Sequence, residues 1–598
     1  MTRPRYIAWI LPGAVTELRE LSTRLTTLAR ITLGPDMATF SAGRLLVAYA
    51  CPRLQGRGGR GSFLILGRLY GVTGEPPLET LSAERASQIM SSQGARLASA
   101  YWGPYVAFLA DTPSGPVTVI RDPTGGLPCY FHAAACGTVI ASDLEIARLC
   151  GGLDVEIDWR EIAIHLQTTQ LRRRRTAIVS LDELLWGERL TDKAGTTAVD
   201  QLWTPWTFAA SHRQIEDRET AVALLRETVV RSVRSVCAPY SHILLTVSGG
   251  LDSSILAASL ATIGASFSCL TMATEEPAGD ERHFARLIAK ATGSPLYEAF
   301  EAIGAVDMTT CHGAHLPRPI SRAFAQSIDN ACAQIAEASG ADVYFGGAGG
   351  DNVFCFLLSA APAADLLRKG RLPHAWATSR DLALLGEVSL IAVLAKAMRR
   401  AWFRRPGYRW SRDVTFLSDQ VKTRPVEPLE HPWLTAPNGA LPGKSGHIAS
   451  IMNIQNHLEG FARELERPVV APLLAQPIVE LCLRIPASMW CAGGHDRSVA
   501  REAFADRLPT EIMARREKGS PDGFVARLFA EHRVRIAEML ADGKLARHGL
   551  LDQDALAMAL SSSSPTIGTA FLRVMKIVDV EMWARTVATG LGTSDIGC

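Results

Sequence analysis

Apolar and polar positions fall into two regimes along the chain. Up to about residue 205 the apolar residues come in short runs. These are Phe63-Leu64-Ile65-Leu66-Gly67-Arg68-Leu69-Tyr70, Tyr105-Val106-Ala107-Phe108-Leu109-Ala110, Val117-Thr118-Val119-Ile120 and Cys129-Tyr130-Phe131. Runs of this length, rich in β-branched and aromatic residues, predict strands. The last two flank Arg121-Asp122-Pro123-Thr124-Gly125-Gly126-Leu127-Pro128, a turn by its proline and glycine content. From 221 onward strand-like runs alternate with helical spacing. Residues 221–236 repeat apolar positions at the helical period, His242-Ile243-Leu244-Leu245-Thr246-Val247 reads as a strand, and 255–264 is helical again, closed by Gly264. Then come a strand at 267–272, a helix opened by Asp280-Glu281 and stopped by Gly293, a helix at about 321–339 and a strand at 341–345. Such alternation predicts a parallel sheet with ligands at the carboxyl ends of its strands. From about 450 the pattern is helical to the end.

A polar stretch with Ser211, Gln214, Glu216 and Asp217 separates the two regimes. It puts a boundary near 208–215 and predicts two domains, 1–210 and 211–598. At 598 residues the chain is too long for one core.

Two glycine-rich turns close strands of the expected parallel sheet. The first, Ser248-Gly249-Gly250-Leu251-Asp252-Ser253-Ser254, stands between a strand run and a helical run. Free backbone N–H groups and the helix dipole gather there, which suits an anion. Gly249 and Gly250 allow a phosphate to approach the backbone, and Ser248, Ser253 and Ser254 add hydroxyls. Asp252 would repel a phosphate unless it holds a bridging Mg2+. There is no GxxxxGK[ST], so this is not a Walker loop. The second turn, Gly346-Gly347-Ala348-Gly349-Gly350-Asp351-Asn352, brings a second carboxylate to the same edge of the sheet.

Composition narrows the class. Apolar residues make up 47% and charged residues 20%, a globular balance, and the net charge of +2 predicts no general attraction to nucleic acid. Twelve scattered cysteines without a CxxC fit reduced thiols and a cytoplasmic protein. Cys311-His312 and His315 lack a second ligand pair for a metal. The most apolar stretch, 382–398, contains Glu387 and Lys396, so no membrane span is expected. Two basic segments stay open. The four arginines 172–175 read as a solvated edge or as a docking patch for an acidic peptide. The segment 374–420, with Lys396, Arg399, Arg400, Trp402, Phe403, Arg404 and Arg405, reads as a peptide site or an amphipathic surface helix.

The Ser248–Ser254 segment resembles the PP-loop of ATP pyrophosphatases, which split ATP into AMP and pyrophosphate. The rest of the chain resembles the asparagine synthetases in order. Their RDPxGxxPLYY and ASELKAL segments appear as RDPTGGLPCYF and as Ala141-Ser142-Asp143-Leu144-Glu145, and Arg175-Thr176-Ala177-Ile178 through Leu184 and Gly187 echoes TIxxLxPG. Their SGEGADE segment matches 346–352, with Ala348 and Asn352 in place of the two glutamates. Arg467 to Ala475 resembles R-x-P-F-L-D, with Ala475 replacing the aspartate. Arg497 to Phe504 resembles the K-xxx-R-x-A-F helix, and 508–519, with Arg515 and Lys518, resembles LP…R-x-K-x-G. The resemblance implies an N-terminal glutaminase-like (class II amidotransferase) α+β domain with a β-sandwich core. A PP-loop parallel-sheet α/β synthetase domain with a helical C-terminal part follows it.

The same resemblance implies ATP at Val247, Ser248, Gly249, Gly250, Asp252, Ser253, Ser254, Met272, Gly346 and Gly347. It implies Mg2+ on Asp252 and Asp351, and Lys518 as the cation contacting phosphate and transition state. One departure concerns the amine. The family's glutaminase uses a cysteine exposed after Met removal, and Thr2 stands there. Without an ammonia supply, the acyl-adenylate must be attacked by an amine already on the substrate. Two related groups do this, the β-lactam synthetases and the lasso peptide macrolactam synthetases. The former use a tyrosine at the position of Ala348, so the expected activity is the latter: ring closure between a core peptide's N-terminal amine and an Asp or Glu side chain. The expected partners are the precursor peptide, a leader peptidase and a leader-binding protein. A β-lactam-type or asparagine synthetase-like small-molecule enzyme, or a non-catalytic ATP-binding protein, are the alternatives.

Overall fold

The protein is described by a computed structural model that covers residues 4–59, 61–72, 74–274, 279–424, 431–515, 522–561 and 570–590. It is a mixed α/β molecule. The first part holds two six-stranded antiparallel sheets. One runs in the order Asp182–Glu183, Tyr130–Ala134, Gly137–Ala141, Arg5–Ile10, Leu45–Ala50, Ala38–Ala42. The other runs Thr196–Gln201, Glu188–Lys193, Val117–Arg121, Tyr105–Ala110, Gly61–Gly67, Arg53–Gly58.

Strand alternation sorts their side chains into layers. Tyr6, Ala8, Ile10, Leu64, Leu66, Val106 and Phe108 meet between the sheets. Ile7, Trp9 and Leu11 point outward and share a core with Leu25 and Ala29 of the helix Arg19–Leu33. Phe63 and Ile65 point outward on the other side, onto the helix Ala83–Ser91. Both faces of each sheet are therefore covered, which explains why the strands read as continuous apolar runs rather than alternating ones. The β-sandwich that the resemblance implies is present.

The second part is built on five parallel strands in the order Leu296–Phe300, Phe267–Ala273, Ile243–Thr246, Val343–Gly346, Val469–Val470. Ile243 and Leu245 face the helices Arg218–Cys237 and Leu251–Thr262, whereas Leu244 faces Cys332 and Ala336 of the helix Gln326–Ser339. The two outer strands depart from the sequence reading. Leu296–Phe300 is an edge strand with little burial, and Val469–Val470 lies inside a stretch read as helical and is too short to show a period. The predicted 321–339 helix starts only at Gln326, after a short 3-10 turn.

The crossing between the parts is anchored rather than loose. Trp203 donates to Glu480 at 2.8 Å, Trp206 donates to the Trp433 carbonyl at 2.9 Å, and the polar Gln214 and Glu216 are taken by Lys369 and Arg371. The helices Asp522–Glu531, Arg533–Ala541 and Ala570–Gly590 bury Phe524, Ile536, Ile577 and Trp583 in the same core as Trp9 of the first sheet. The last segment of the chain thus returns to the first.

The arginine run 172–175 is neither a solvated edge nor a docking patch as a whole. Arg172 is buried between Glu183 and Glu459, Arg173 pairs with Glu161 at 2.5 Å and Arg174 with Glu188 at 2.7 Å; only Arg175 is exposed. Glu183 also takes Arg121 of the RDP segment at 2.5 Å, and Glu459 takes Arg318 at 2.5 Å. This buried chain of charges ties the sandwich to the second part.

Candidate active site

The strand Ile243–Thr246 ends beside the strand Val343–Gly346, and both glycine turns leave the sheet at that edge. Val247 is held in line by its N–H donating to the Leu270 carbonyl at 2.8 Å. The chain then turns into the helix Leu251–Thr262, with Asp252 in its first turn. That helix is buried along 251–260, so it carries no amphipathic stripe and presents only its N-terminus to the site. The second turn packs directly on the first. A Cβ on Gly347 would lie 2.8 Å from the Ser253 nitrogen, and one on Gly350 would lie 2.2 Å from Cγ of Asp252. Glycine is required at both places because the two loops touch, and the contact brings Asp351 to Asp252.

The two carboxylates converge on one guanidinium nitrogen. Nη1 of Arg497 donates to Asp252 Oδ1 at 3.1 Å and Oδ2 at 3.2 Å, and also to Asp351 Oδ1. Its Nε donates to Asp496 Oδ2 at 2.7 Å, and its guanidinium lies over Phe356. Arg497 adopts a left-handed φ of 50°, an uncommon backbone state that aims the side chain back at the sheet from the start of the helix Ser498–Ala503. Burial would pull its pKa down, but the carboxylates of Asp252, Asp351 and Asp496 push it above the usual value, so it stays charged. A cation already rests where both carboxylates point. Two hard oxygen ligands at the mouth of a phosphate-type loop suit Mg2+, which is commonly held by one or two carboxylates plus substrate phosphates. Asp252 and Asp351 would hold it, completing its shell with water and phosphate oxygens.

Sequence reasoning singled out the segment of Arg497 but gave this residue no role. It also gave none to Arg515, which reaches the PP-loop: Nη1 donates to the Ser248 carbonyl at 2.9 Å, Nη2 pairs with Glu281 at 2.7 Å, and the guanidinium stacks on Phe284. The available signal was position alone, since Arg497 stands at the lysine of one family segment and Arg515 at the arginine of another.

Other site residues fall as follows. Ser248 and Ser253 line the turn, where Gly250 N–H donates to Ser248 Oγ at 3.3 Å and Ser253 Oγ donates to the Gly250 carbonyl at 3.2 Å. Ser254 is fully buried and its Oγ has no partner among the described residues, so it does not present a hydroxyl at the opening. Gly249 has a φ of +62°, and a Cβ there would lie 2.1 Å from Cβ of Phe284; its need is backbone conformation and packing on the neighbouring helix rather than phosphate approach. Met272 sits half-buried near the end of the adjacent strand, paired with Ala299. Asn352 turns away, donating to the Ser450 carbonyl at 2.8 Å. Lys518 and Thr2 lie outside the described residues.

Gly346, Gly347 and Ala348 also line a cavity of about 400 Å³ between the two parts of the molecule. From the sandwich come Pro4, Trp102 and the Gly125–Gly126 turn; from the second part come Phe345, Phe461 and Glu464. Burial, and then the charge of Glu459, raise Glu464 to about 7, and its Oε1 has no hydrogen-bond partner among the described residues.

No curated protein matches the chain. Among solved structures, a glutamine phosphoribosylpyrophosphate amidotransferase from B. subtilis complexed with ADP and GMP is 10% identical, covers 57% of this chain and 90% of its own, and has a TM-score of 0.22. A structure described as the allosteric regulatory enzyme of purine biosynthesis is also 10% identical, covers 52% and 77%, and has a TM-score of 0.21. At such scores neither bears on the fold. The asparagine synthase family model matches residues 224–460 and 461–585, which take in both glycine turns, Arg497 and Arg515. The chain therefore belongs to the asparagine synthase family and is an ATP-dependent amide-forming ligase.

Proposed function

We propose that this chain closes a macrolactam in a peptide, joining an N-terminal amine to an Asp or Glu side chain of the same peptide. The side-chain carboxylate attacks the α-phosphorus of ATP, and pyrophosphate leaves. The amine then attacks the acyl carbon of the mixed anhydride, AMP leaves, and the amine's surplus proton passes to solvent or to a nearby base. Backbone N–H groups at the start of the helix Leu251–Thr262 would receive the phosphates. Mg2+ on Asp252 and Asp351 would neutralise phosphate charge. Lys518, by its place in the sequence, would offset charge that grows in the transition state. The chain's work is positioning and charge neutralisation, since the anhydride is already reactive.

The observation that carries the reading is the cavity that Ala348 helps to line. It is large enough for peptide side chains, and Ala348 has no group able to take a proton. A peptide's N-terminal amine needs little help, because its ordinary pKa of about 7.7–8.0 leaves a useful neutral fraction near pH 7. A leader peptidase and a leader-binding protein would free that amine, in the cytoplasm where ATP is supplied.

Mass spectrometry of a leaderless precursor incubated with the enzyme, ATP and Mg2+ tests the reading. Loss of one water, with fragmentation locating an isopeptide bond from residue one to an acidic side chain, is the expected result. A peptide that stays linear while a small β-amino acid loses water would transfer the chain to the β-lactam type. If neither releases pyrophosphate, the non-catalytic alternative stands.

A further inference from the structure

The helix Leu390–Trp402 is built the wrong way round for a helix that simply covers a core. Its inward face carries Val393, Ala397 and Ala401, which share a small core with Ala363, Ala364, Leu382 and Cys491. Its outward face carries Ile391, Ala395, Met398 and Trp402, spaced i, i+4, i+7, i+11. Bulky apolar residues face water while small ones face protein, the reverse of the usual surface helix. Ile391 is 78% exposed, Trp402 57% and the following Phe403 81%. Leu372, Trp376 and Leu384 of the preceding helix Leu372–Leu385 are exposed too. Nine of the sixteen exposed large apolar side chains among the described residues lie in 372–408, so the exposure is concentrated rather than scattered.

Charge marks the same segment. Residues 388–412 hold seven arginines and lysines and no acidic residue. The whole chain has a net charge of +2, so the remainder without these seven stands at −5. Lys396, Arg399, Arg404 and Arg405 form no ion pair among the described residues. Arg400 forms none either but is spent on the carbonyls of Pro406 and Gly407, folding the turn that follows the helix, and Arg412 donates to Gln167.

We propose that this face docks the enzyme on an anionic lipid surface. An apolar ridge flanked by cations is the chemistry of an interfacial helix, with aromatic residues at headgroup depth and basic residues against negative headgroups. Anionic headgroups can meet all of these spread cations at once, whereas a protein partner would need a matching acidic groove. The helix is 13 residues long, so it lies on the surface and does not span it. This inference rests on exposure and charge alone and is independent of which amide the enzyme makes.

Flotation of the full-length protein with phosphatidylglycerol–phosphatidylcholine vesicles, against pure phosphatidylcholine vesicles, tests it. The protein should float with the anionic vesicles at low salt, be released at high salt, and stay behind with the neutral ones. The double variants Trp402→Ser/Phe403→Ser and Arg404→Glu/Arg405→Glu should each weaken partitioning by about tenfold or more. Both change exposed side chains, so their unfolding midpoints should match the parent and separate lost binding from misfolding. Absence of flotation at low salt, or equal flotation of parent and variants, overturns the proposal. So does a rise in KM for a peptide substrate in these variants without vesicle binding, which would give the face to a polypeptide.

Discussion

Asp252 and Asp351 share one counter-ion, and that arrangement decides what their removal does. Asp252→Asn and Asp351→Asn are each expected to abolish pyrophosphate release, because an amide binds a hard cation poorly. Near-normal release at ordinary magnesium in either variant would remove that residue from the metal site. Arg497 competes for the same oxygens. Without it, the buried Asp252 loses a partner, so Arg497→Ala should lower the unfolding midpoint in the absence of Mg2+. Added Mg2+ should restore more of that loss in the variant than it adds to the parent. Glu464 sets a pH dependence. Its folded pKa of about 7 lies above the ordinary carboxylate value because of burial and then Glu459, so the folded state keeps a proton that the unfolded state has released. Its contribution to stability is fully present below about pH 4 and is lost as pH rises towards 7. The parent's unfolding midpoint should fall over that window, and Glu464→Gln should make the fall shallower; an unchanged slope would deny the shift.

The glycine turns and the buried ion network work as units. Gly350→Ala would drive a methyl into the Asp252 carboxylate, so the loops must part and activity should drop at least as far as in Asp252→Asn, with the sheet still folded by circular dichroism. Glu183 is the centre of the network, receiving both Arg121 and Arg172. Burial pushes its pKa up, but the two arginines outweigh that and hold it below the ordinary value. Glu183→Ala leaves the buried Arg121 without its carboxylate and Arg172 with Glu459 alone, and should cost about 3–5 kcal/mol, read as a fall in denaturant midpoint. The RDP segment was legible as a turn from proline and glycine, and the Asp122 carboxylate does accept from the N–H groups of Thr124 and Gly126 at 2.8 and 3.0 Å. That Arg121 crosses to Glu183 and, through Arg172 and Glu459, to the second part was not legible, because those partners lie far apart in sequence.

At the scale of the molecule, the first part is a sandwich of two antiparallel sheets, and residue 2 is threonine where the glutaminases it resembles in sequence carry a cysteine. The purified protein should therefore form no glutamate from glutamine. Steady hydrolysis that Thr2→Ala abolishes would reopen ammonia as the acceptor. The sequence alone determined the strand, glycine turn and helix around Asp252, the second glycine turn around Asp351, and the parallel α/β character between them. Each is set by residues close in the chain, where spacing and backbone chemistry act locally. Only the tertiary structure decided that Arg497 lies between the two carboxylates, that Val469–Val470 completes the sheet, and that the C-terminal helices bury Trp583 in a core shared with Trp9. It also decided that four consecutive arginines meet different fates, from the buried Arg172 to the exposed Arg175. Charge pairing and burial depend on which surfaces meet after long excursions of the chain, and no local period records that meeting.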